Sequence, residues 1–112
     1  MICADVSSTI VHGPQNISTF RHSTVNFSCT SDGPADYIYW KYAVDSSKAT
    51  VYIFSRHGRN KEQFGERFVR SVHGLNSTLT IRNVQASDTG IYSCLERATS
   101  RQRSARLTVN GK

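Results

Sequence analysis

Apolar and polar side chains alternate in several short runs of this chain. In the first run Val25, Phe27 and Cys29 are separated by polar residues, and the same alternation recurs at residues 78–82 and 106–109. Successive side chains of an extended strand point to opposite faces, so each run predicts a strand with one buried face. Helical periodicity is almost absent. The chain is therefore expected to be all-β.

Turn-forming residues separate the predicted strands at intervals of roughly 8 to 12 residues, a spacing typical of sandwiches and barrels. These turn residues are Gly33-Pro34, Asp45-Ser46-Ser47, His57-Gly58 and His73-Gly74. A length of 112 residues, 38% of them hydrophobic, suits one compact domain with its own core. We expect one domain spanning residues 1–112.

Three cysteines, Cys3, Cys29 and Cys94, allow one disulfide and leave one thiol over. The sequence has no C-x-x-C pair, and its four histidines are scattered, which argues against a zinc or redox site. A single long-range bridge is the better interpretation.

The segment "SDTGIYSC", residues 87–94, carries the most specific pattern in the chain. Cys29 and Cys94 are 65 residues apart, Trp40 follows the first by 11, and Tyr92 precedes the second by two. This spacing resembles the immunoglobulin fold, a sandwich of two sheets. The longer stretch "STLTIRNVQASDTGIYSC" is similar to strands E and F of that fold with the corner between them.

The resemblance assigns structural roles to the residues of this segment. It implies a Cys29–Cys94 disulfide packed by Trp40, and a Tyr92 hydroxyl bonded to backbone at the corner. It also implies that Gly90 leaves room for the turn and that Asp88 pairs with Arg67 of "ERF". The remaining cysteine, Cys3, is then expected to be a free terminal thiol, with a bridge to another chain as the alternative.

The 26 residues between Trp40 and Arg67 leave room for strands C′ and C″, which favours the variable type (V-set) of the fold. The resemblance covers about Val6 to Val109. The end of the chain, "RSARLTVNG", lacks the Phe-Gly-x-Gly bulge of antigen-receptor joining segments. A domain of a cell-surface adhesion or innate immune receptor is therefore expected.

The resemblance also implies where a partner binds. Strands C, F, G, C′ and C″ would form one sheet, and A, B, E and D the other. The glycosylation sequons at Asn16, Asn26 and Asn76 are expected on the second sheet, so the outer surface of C, F, G and C′, here the C-F-G face, would stay free for a protein partner or a second copy in a homodimer. The residues predicted on this face are Tyr39, Lys41, Tyr52, Phe54, Ser93, Leu95 and Arg97. A one-residue shift in C′ would turn Val51 and Ile53 outward instead.

Basic residues suggest an alternative function. Arg56, Arg59 and Lys61 follow C′, while Arg101 and Arg103 lie in the F–G hairpin, and both loops are expected at one end of the sandwich. There they would bind an anionic or microbial glycan in innate immune recognition. A solvated rim that keeps the domain soluble is the simpler interpretation.

Several other functions are disfavoured. The eight acidic residues are dispersed and no nucleophile stands beside a base, so no enzyme activity, metal or cofactor is expected. The formal charge of +6 attracts anions, yet none of the usual nucleic-acid-binding motifs is present, and nucleic acid is not expected as a partner.

The sequons indicate the secretory route, and therefore an extracellular location, either secreted or as the ectodomain of a membrane-anchored protein. No apolar run approaches the roughly 20 residues that span a bilayer, so membrane attachment would use parts outside this chain.

Overall fold

Two β-sheets packed face to face form the fold. The structure, a computed structural model, describes residues 10–33, 35–97 and 101–111. Its strands are β1 (Ile10–His12), β2 (Ile17–Phe20), β3 (Val25–Ser31), β4 (Ile38–Ala43), β5 (Val51–Ser55), β6 (Gly58–Arg59), β7 (Phe68–His73), β8 (Asn76–Ile81), β9 (Gly90–Glu96) and β10 (Arg101–Asn110). Short 3-10 turns span Ala35–Tyr37 and Ala86–Asp88. Cys3 lies outside the described residues.

The strand order is that of a variable-type immunoglobulin sandwich. One sheet has the order β1-β3-β8-β7, which corresponds to A, B, E and D. The other has the order β2-β10-β9-β4-β5-β6, which corresponds to A′, G, F, C, C′ and C″. The predicted fold class is therefore confirmed, with both C′ and C″ present.

Alternation in the sequence becomes alternation across the sheets. In β3 the side chains of Val25, Phe27 and Cys29 are buried between the sheets, while Asn26 and Ser28 are exposed on the outside. β8 pairs with β3 in antiparallel register and buries Leu79 and Ile81 in the same core. Each large apolar side chain buried in this way stabilises the fold by about 1.5–3 kcal/mol.

The centre of the core is the Cys29–Cys94 disulfide, which joins β3 to β9 across the two sheets. Trp40 is fully buried in the same core and donates its indole N–H to Ser77 Oγ at 3.0 Å. The bond satisfies the one polar atom that the indole brings into the core. Loss of such a disulfide from a small domain costs about 2–5 kcal/mol.

The corner between β8 and β9 is held by the carboxylate of Asp88. Arg67 donates two hydrogen bonds to it, at 2.9 and 3.0 Å, and Gln85 donates its backbone N–H at 2.8 Å. The Tyr92 hydroxyl donates to the Asp88 carbonyl oxygen at 2.6 Å. The predicted ion pair and the predicted tyrosine contact are both present. Gly90 is required for space, because a Cβ there would lie 2.5 Å from the Tyr42 ring.

Two tyrosines beside this corner are held in their neutral form. Burial, and secondly the negative charge of Asp88, raise the pKa of Tyr92 well above its usual range. The same two causes, in the same order, raise the pKa of Tyr42, whose hydroxyl donates to the Thr89 carbonyl oxygen at 2.8 Å. The hydrogen bond from Arg67 to Asp88 in turn raises the arginine's pKa.

The chain crosses from one sheet to the other near the beginning of the described residues. β1 pairs with β3 in the four-stranded sheet, whereas β2, four residues later, runs parallel to β10 in the six-stranded sheet. Gly13 makes the crossing possible, because a Cβ at this position would lie 2.6 Å from Arg103 Cβ. This crossing determines the position of one of the sequons.

Candidate interaction face

Four strands build the C-F-G face: β4, β5, β9 and β10. Residues directly opposite each other in an antiparallel pair lie on the same side of the sheet. Lys41 is opposite Tyr52 on one side and Ser93 on the other, and Tyr39 is opposite Leu95. The structure thus places Tyr39, Lys41, Tyr52 and Leu95 together on the outer side, as the sequence predicts.

The centre of the face is an aromatic and cationic cluster of Tyr39, Tyr52 and Lys41. The rings of Tyr39 and Tyr52 meet edge to face, with centroids 6.0 Å apart and planes at 82°. Lys41 Nζ lies 5.9 Å from the Tyr52 ring centroid. Tyr39 is only 8% exposed, whereas Tyr52 is 42% exposed. Tyr52 is therefore an exposed ring that packs edge to face against a second, largely covered ring.

Leu95 is half-buried on the same face, and Arg97 is exposed at the end of β9. The Arg97 backbone N–H donates to the Tyr37 carbonyl oxygen at 3.1 Å. Tyr37 itself is an exposed ring in the turn before β4. Tyr37 was not among the residues predicted on this face, although it belongs to the aromatic run at residues 37–42. Its exposure depends on where β4 begins.

Phe54 does not lie on the face, contrary to prediction. The register between β4 and β5 shifts at Trp40 and Lys41, so that Phe54 is opposite the inward Trp40 while Tyr52 is opposite the outward Lys41. Ile53, the extra residue in this irregularity, is buried as well, and Phe54 is 7% exposed within the core. The alternative outward placement of Val51 and Ile53 is also wrong, since Val51 packs against the core.

Ser93 points outward but cannot be a contact residue as predicted. It is 3% exposed, and its hydroxyl lies 2.6 Å from that of Ser104 on β10. A short side chain on a central strand is covered by its longer neighbours. The accessible part of the face therefore runs through Tyr52, Lys41, Leu95 and Arg97.

The Asn16 sequon lies on the six-stranded sheet, which corrects its predicted place on the other one. Asn16 precedes β2, and its Oδ1 accepts the Arg106 backbone N–H of β10 at 2.8 Å. The crossing at residues 13–16 carries it there. The other two sequons lie as predicted, Asn26 on β3 and Asn76 on β8.

The outer surface of the four-stranded sheet is a ladder of short polar side chains, here the polar ladder. Its three rungs each join β3 to β8 through a hydrogen bond between side chains, at 2.5 to 3.1 Å. The rungs are Asn26–Thr80, Ser28–Thr78 and Thr30–Asn76. Two sequon asparagines thus use Oδ1 as an acceptor within the sheet.

The basic loops do not form one patch. Arg103 on β10 and Arg59 on β6 lie in one row of residues that runs across the sheet. The residues between them in this row are Cys94, Trp40 and Phe54. Four strand spacings separate the two arginines, or roughly 19 Å. The loops share one end of the sandwich but lie at opposite margins of it. Residues 98–100 of the F–G hairpin are outside the described residues.

The individual basic side chains also differ in their surroundings. Arg103 packs along Gly13 and donates to the Ile10 carbonyl oxygen at 3.5 Å, so it belongs to the β1 margin. Arg101 is opposite Glu96 in register. Arg56 and Lys61 are exposed.

Glu96 is a buried carboxylate that the sequence analysis missed. It is 1% exposed, and it follows the inward Tyr92 and Cys94 at the next alternate position of β9. Ile38 is opposite it on one side and Arg101 on the other. The period of two in β9 was a sufficient signal to find it.

A cavity of about 410 Å³ opens at the corner end of the sandwich, between the turn after β4 and the segment before β7. Its lining includes Tyr42, Val51, Phe64, Arg67 and Asp88. The last two are already paired with each other across the corner.

Within residues 10–33, 35–97 and 101–111, no group of three or more His, Cys, Asp or Glu side chains is arranged to hold a metal ion. A search of those residues also finds no helix long and apolar enough to cross a membrane.

Comparison with known families agrees with this geometry. The model of the immunoglobulin V-set domain matches residues 12–110. The chain therefore belongs to the immunoglobulin V-set family, whose domains are generally binding modules of receptors or adhesion proteins.

Among curated proteins, the chain is similar to V-set and immunoglobulin domain-containing protein 1 of Gallus gallus, with 29% identity over 101 residues. The match covers 83% of this chain and 30% of that protein. The chain thus spans less than a third of the relative's length.

Proposed function

We propose that this domain is an extracellular binding module of a cell-surface receptor or adhesion protein, and that it contacts a protein partner through the C-F-G face. The observation that carries the proposal is the 42% exposure of Tyr52, which packs edge to face against Tyr39 and lies beside Lys41. A rigid aromatic ring beside a cation is the usual composition of a binding hot spot. Exposed Arg97 extends the surface.

The charge of the face favours a partner with an acidic surface. Outward positions on its described strands carry Lys41 and Arg106 and no carboxylate, and the exposed Arg97 follows directly after β9. Asp45, in the turn after β4, lies at the margin; hydrogen bonds from Ser47, and then the charge of Arg106, lower its pKa. Two copies meeting face to face would bring like charges together, so a different protein fits better than a homodimer.

Glycans at the sequons would be compatible with the same assignment. In all three asparagines Oδ1 accepts a hydrogen bond, so a glycan on Nδ2 preserves these contacts. Glycans on Asn26 and Asn76 would cover the polar ladder. A glycan on Asn16 would stand at the β2–β10 margin, which restricts the partner to the part of the face nearer β4, β5 and β9.

Substitution of Tyr52 tests the proposal. Tyr52→Ala should weaken partner binding by roughly 10- to 30-fold, the loss expected when a central aromatic contact is truncated. Binding of a multimerised domain to cells and to purified receptor ectodomains would be measured by flow cytometry and surface plasmon resonance. Sedimentation equilibrium of the domain alone would detect a homodimer.

Leu75→Ala provides the matched control, because Leu75 is a similarly exposed apolar residue at the β7–β8 turn of the other sheet. This variant should bind as the unmodified domain does. If Leu75→Ala lost binding while Tyr52→Ala kept it, the contact would lie on the four-stranded sheet and the proposal would be wrong.

A further inference from the structure

Two arginines lie on the edge strands of the two sheets, Arg59 on β6 and Arg70 on β7. Arg59 is opposite Phe54 in the β5–β6 pair, and Phe54 is opposite the inward Trp40, so Arg59 projects to the inner side of the six-stranded sheet. Arg70 lies on β7 at the inward position between Phe68 and Val72, and is opposite the buried Leu79. A cation thus occupies a position that would suit an apolar residue.

Phe54 lies next to both arginines. The guanidinium carbon of Arg70 lies 5.6 Å from the centroid of the Phe54 ring, and Arg59 is the direct neighbour of Phe54 along the sheet. The N–H groups of a guanidinium lie in its own plane, so an acceptor in that plane can meet several of them. Facing sheets are about 10 Å apart, so long side chains from both sides can meet in the gap.

Each guanidinium has a donor without an acceptor. Arg59 Nε and Arg70 Nη1 are both buried and form no hydrogen bond. Buried polar groups in native proteins are nearly always hydrogen-bonded, and a charged group with an unused donor is a costly exception. Both residues are only half-buried as a whole, so the remaining parts of their side chains are accessible from solvent.

We propose that Arg59 and Arg70 form a binding site for one oxyanion, a sulfate or carboxylate group of an acidic glycan. Such a group accepts in-plane hydrogen bonds from two guanidinium groups and offsets the repulsion between them. The site uses Arg59 of the basic segment after β5, and joins it to Arg70 on the other sheet rather than to Arg101 and Arg103. It does not depend on the C-F-G face.

The test measures binding of three probes by isothermal titration calorimetry: a heparin octasaccharide, the same octasaccharide after desulfation, and inorganic sulfate. The fully sulfated probe reports either anion, the desulfated probe reports carboxylates alone, and the inorganic ion reports sulfate without a glycan. Arg59→Gln and Arg70→Gln should each weaken octasaccharide binding by roughly 10- to 100-fold, the range expected for lost hydrogen bonds to a charged group.

Arg56→Gln is the matched control, since it removes the same charge from the turn beside β6 and should change affinity by no more than about threefold, as a screened surface charge does. Arg70→Lys keeps the charge without the planar fork and should be intermediate. Tyr52→Ala should leave octasaccharide binding intact, which separates this site from the protein-binding face.

A second readout does not need the glycan. Sulfate stabilises most proteins, but a bound ion adds a specific term, so the midpoint of thermal unfolding should rise more steeply with sulfate for the unmodified domain than for the Arg70→Gln variant. The proposal is wrong if the unmodified domain binds none of the three probes. It is also wrong if Arg56→Gln loses as much affinity as the two site variants.

Discussion

The outer surfaces of the two sheets are built on the same core yet differ in how their side chains are satisfied. On the four-stranded sheet, the polar ladder consists of short side chains that bond to one another from strand to strand. On the six-stranded sheet, Tyr52 and Lys41 contact each other through ring and cation and still present exposed surface. Surface groups that already have partners gain little from a new contact, whereas an exposed ring gains by burial. The difference supports the proposal that a partner binds the six-stranded sheet.

The largest effect is expected from a glycan added to the C-F-G face, where the partner is proposed to bind. Gln102→Asn creates a sequon with Ser104 on β10, at an exposed outward position opposite Leu95. If the C-F-G face binds the partner, the added glycan should abolish binding in surface plasmon resonance, because a glycan is far larger than the gap at a protein interface.

The matched control is Asn26→Gln, which removes a sequon from the polar ladder and should leave binding unchanged. Deglycosylation of the Gln102→Asn protein should restore binding. A glycosylated Gln102→Asn protein that binds normally would contradict the face assignment.

A second prediction tests whether the two sheets depend on one corner. Asp88→Ala removes the acceptor of Arg67 and of the Gln85 backbone, and should lower the free energy of unfolding by about 2–3 kcal/mol. The estimate allows for solvent screening of Arg67, whose side chain is 33% exposed. Urea unfolding, monitored by the fluorescence of Trp40, measures this change in the free energy of unfolding.

If both sheets rest on this corner, far-ultraviolet circular dichroism and Trp40 fluorescence should report one shifted transition. Two separated transitions would mean that the sheets unfold independently. Arg82→Ala is a suitable control, since only its backbone oxygen contacts Arg67.

A third prediction concerns alkaline pH, which acts on the corner through Tyr92 and Tyr42. The neutral forms of Tyr92 and Tyr42 are favoured in the folded state, so their contribution to stability is complete below the unfolded pKa of about 10 and is lost as the pH rises above it. The free energy of unfolding should fall by about 1.4 kcal/mol per pH unit through Tyr92, and Tyr42 should add a smaller decrease.

Urea unfolding at a series of pH values from 8 to about 11.5 measures this slope. Tyr92→Phe should lower the slope by the contribution of one proton, about 1.4 kcal/mol per pH unit. The variant also loses the hydrogen bond to the Asp88 carbonyl oxygen. An unchanged slope in this variant would show that Tyr92 ionises as readily in the fold as outside it.

The smallest expected effect belongs to the polar ladder. Thr80→Val keeps the shape of the side chain and removes the hydroxyl that donates to Asn26 Oδ1 at 2.7 Å. An exposed bond of this kind contributes about 0.5–1 kcal/mol at most, and partner binding should not change. A loss of binding larger than about threefold would mean that the ladder takes part in recognition after all.

Much of the sandwich was predictable because its signals are local. Alternation placed β3, β8 and β10, and the spacing of Cys29, Trp40 and Cys94 with the corner motif indicated how the two sheets meet. The pair of Asp88 with Arg67 followed from the same resemblance. Tyr39, Lys41 and Leu95 were placed on the correct side because β4 and β9 keep an unbroken period.

The failures arise where pairing between distant strands overrides that period. A register shift against β4 buries Phe54 together with Ile53, and no residue within β5 signals it. Asn16 lies on the six-stranded sheet because the chain crosses at Gly13, a choice made by pairing with β10. Ser93 is covered by neighbours on other strands, and the contact of Arg70 with Phe54 joins two strands of different sheets.

The parallel pairing of β2 with β10 gives the sandwich a mechanical property. Ile17 lies opposite Leu107 and Phe20 opposite Asn110, with both strands running in the same direction. A pull on the chain before β2, opposed by a pull beyond β10, therefore acts along the two strands while their hydrogen bonds lie across them. These bonds are loaded together in shear and must break at once, whereas a hairpin pulled at its open end unzips one bond at a time. Tension applied at those two points would load the domain in its stronger direction.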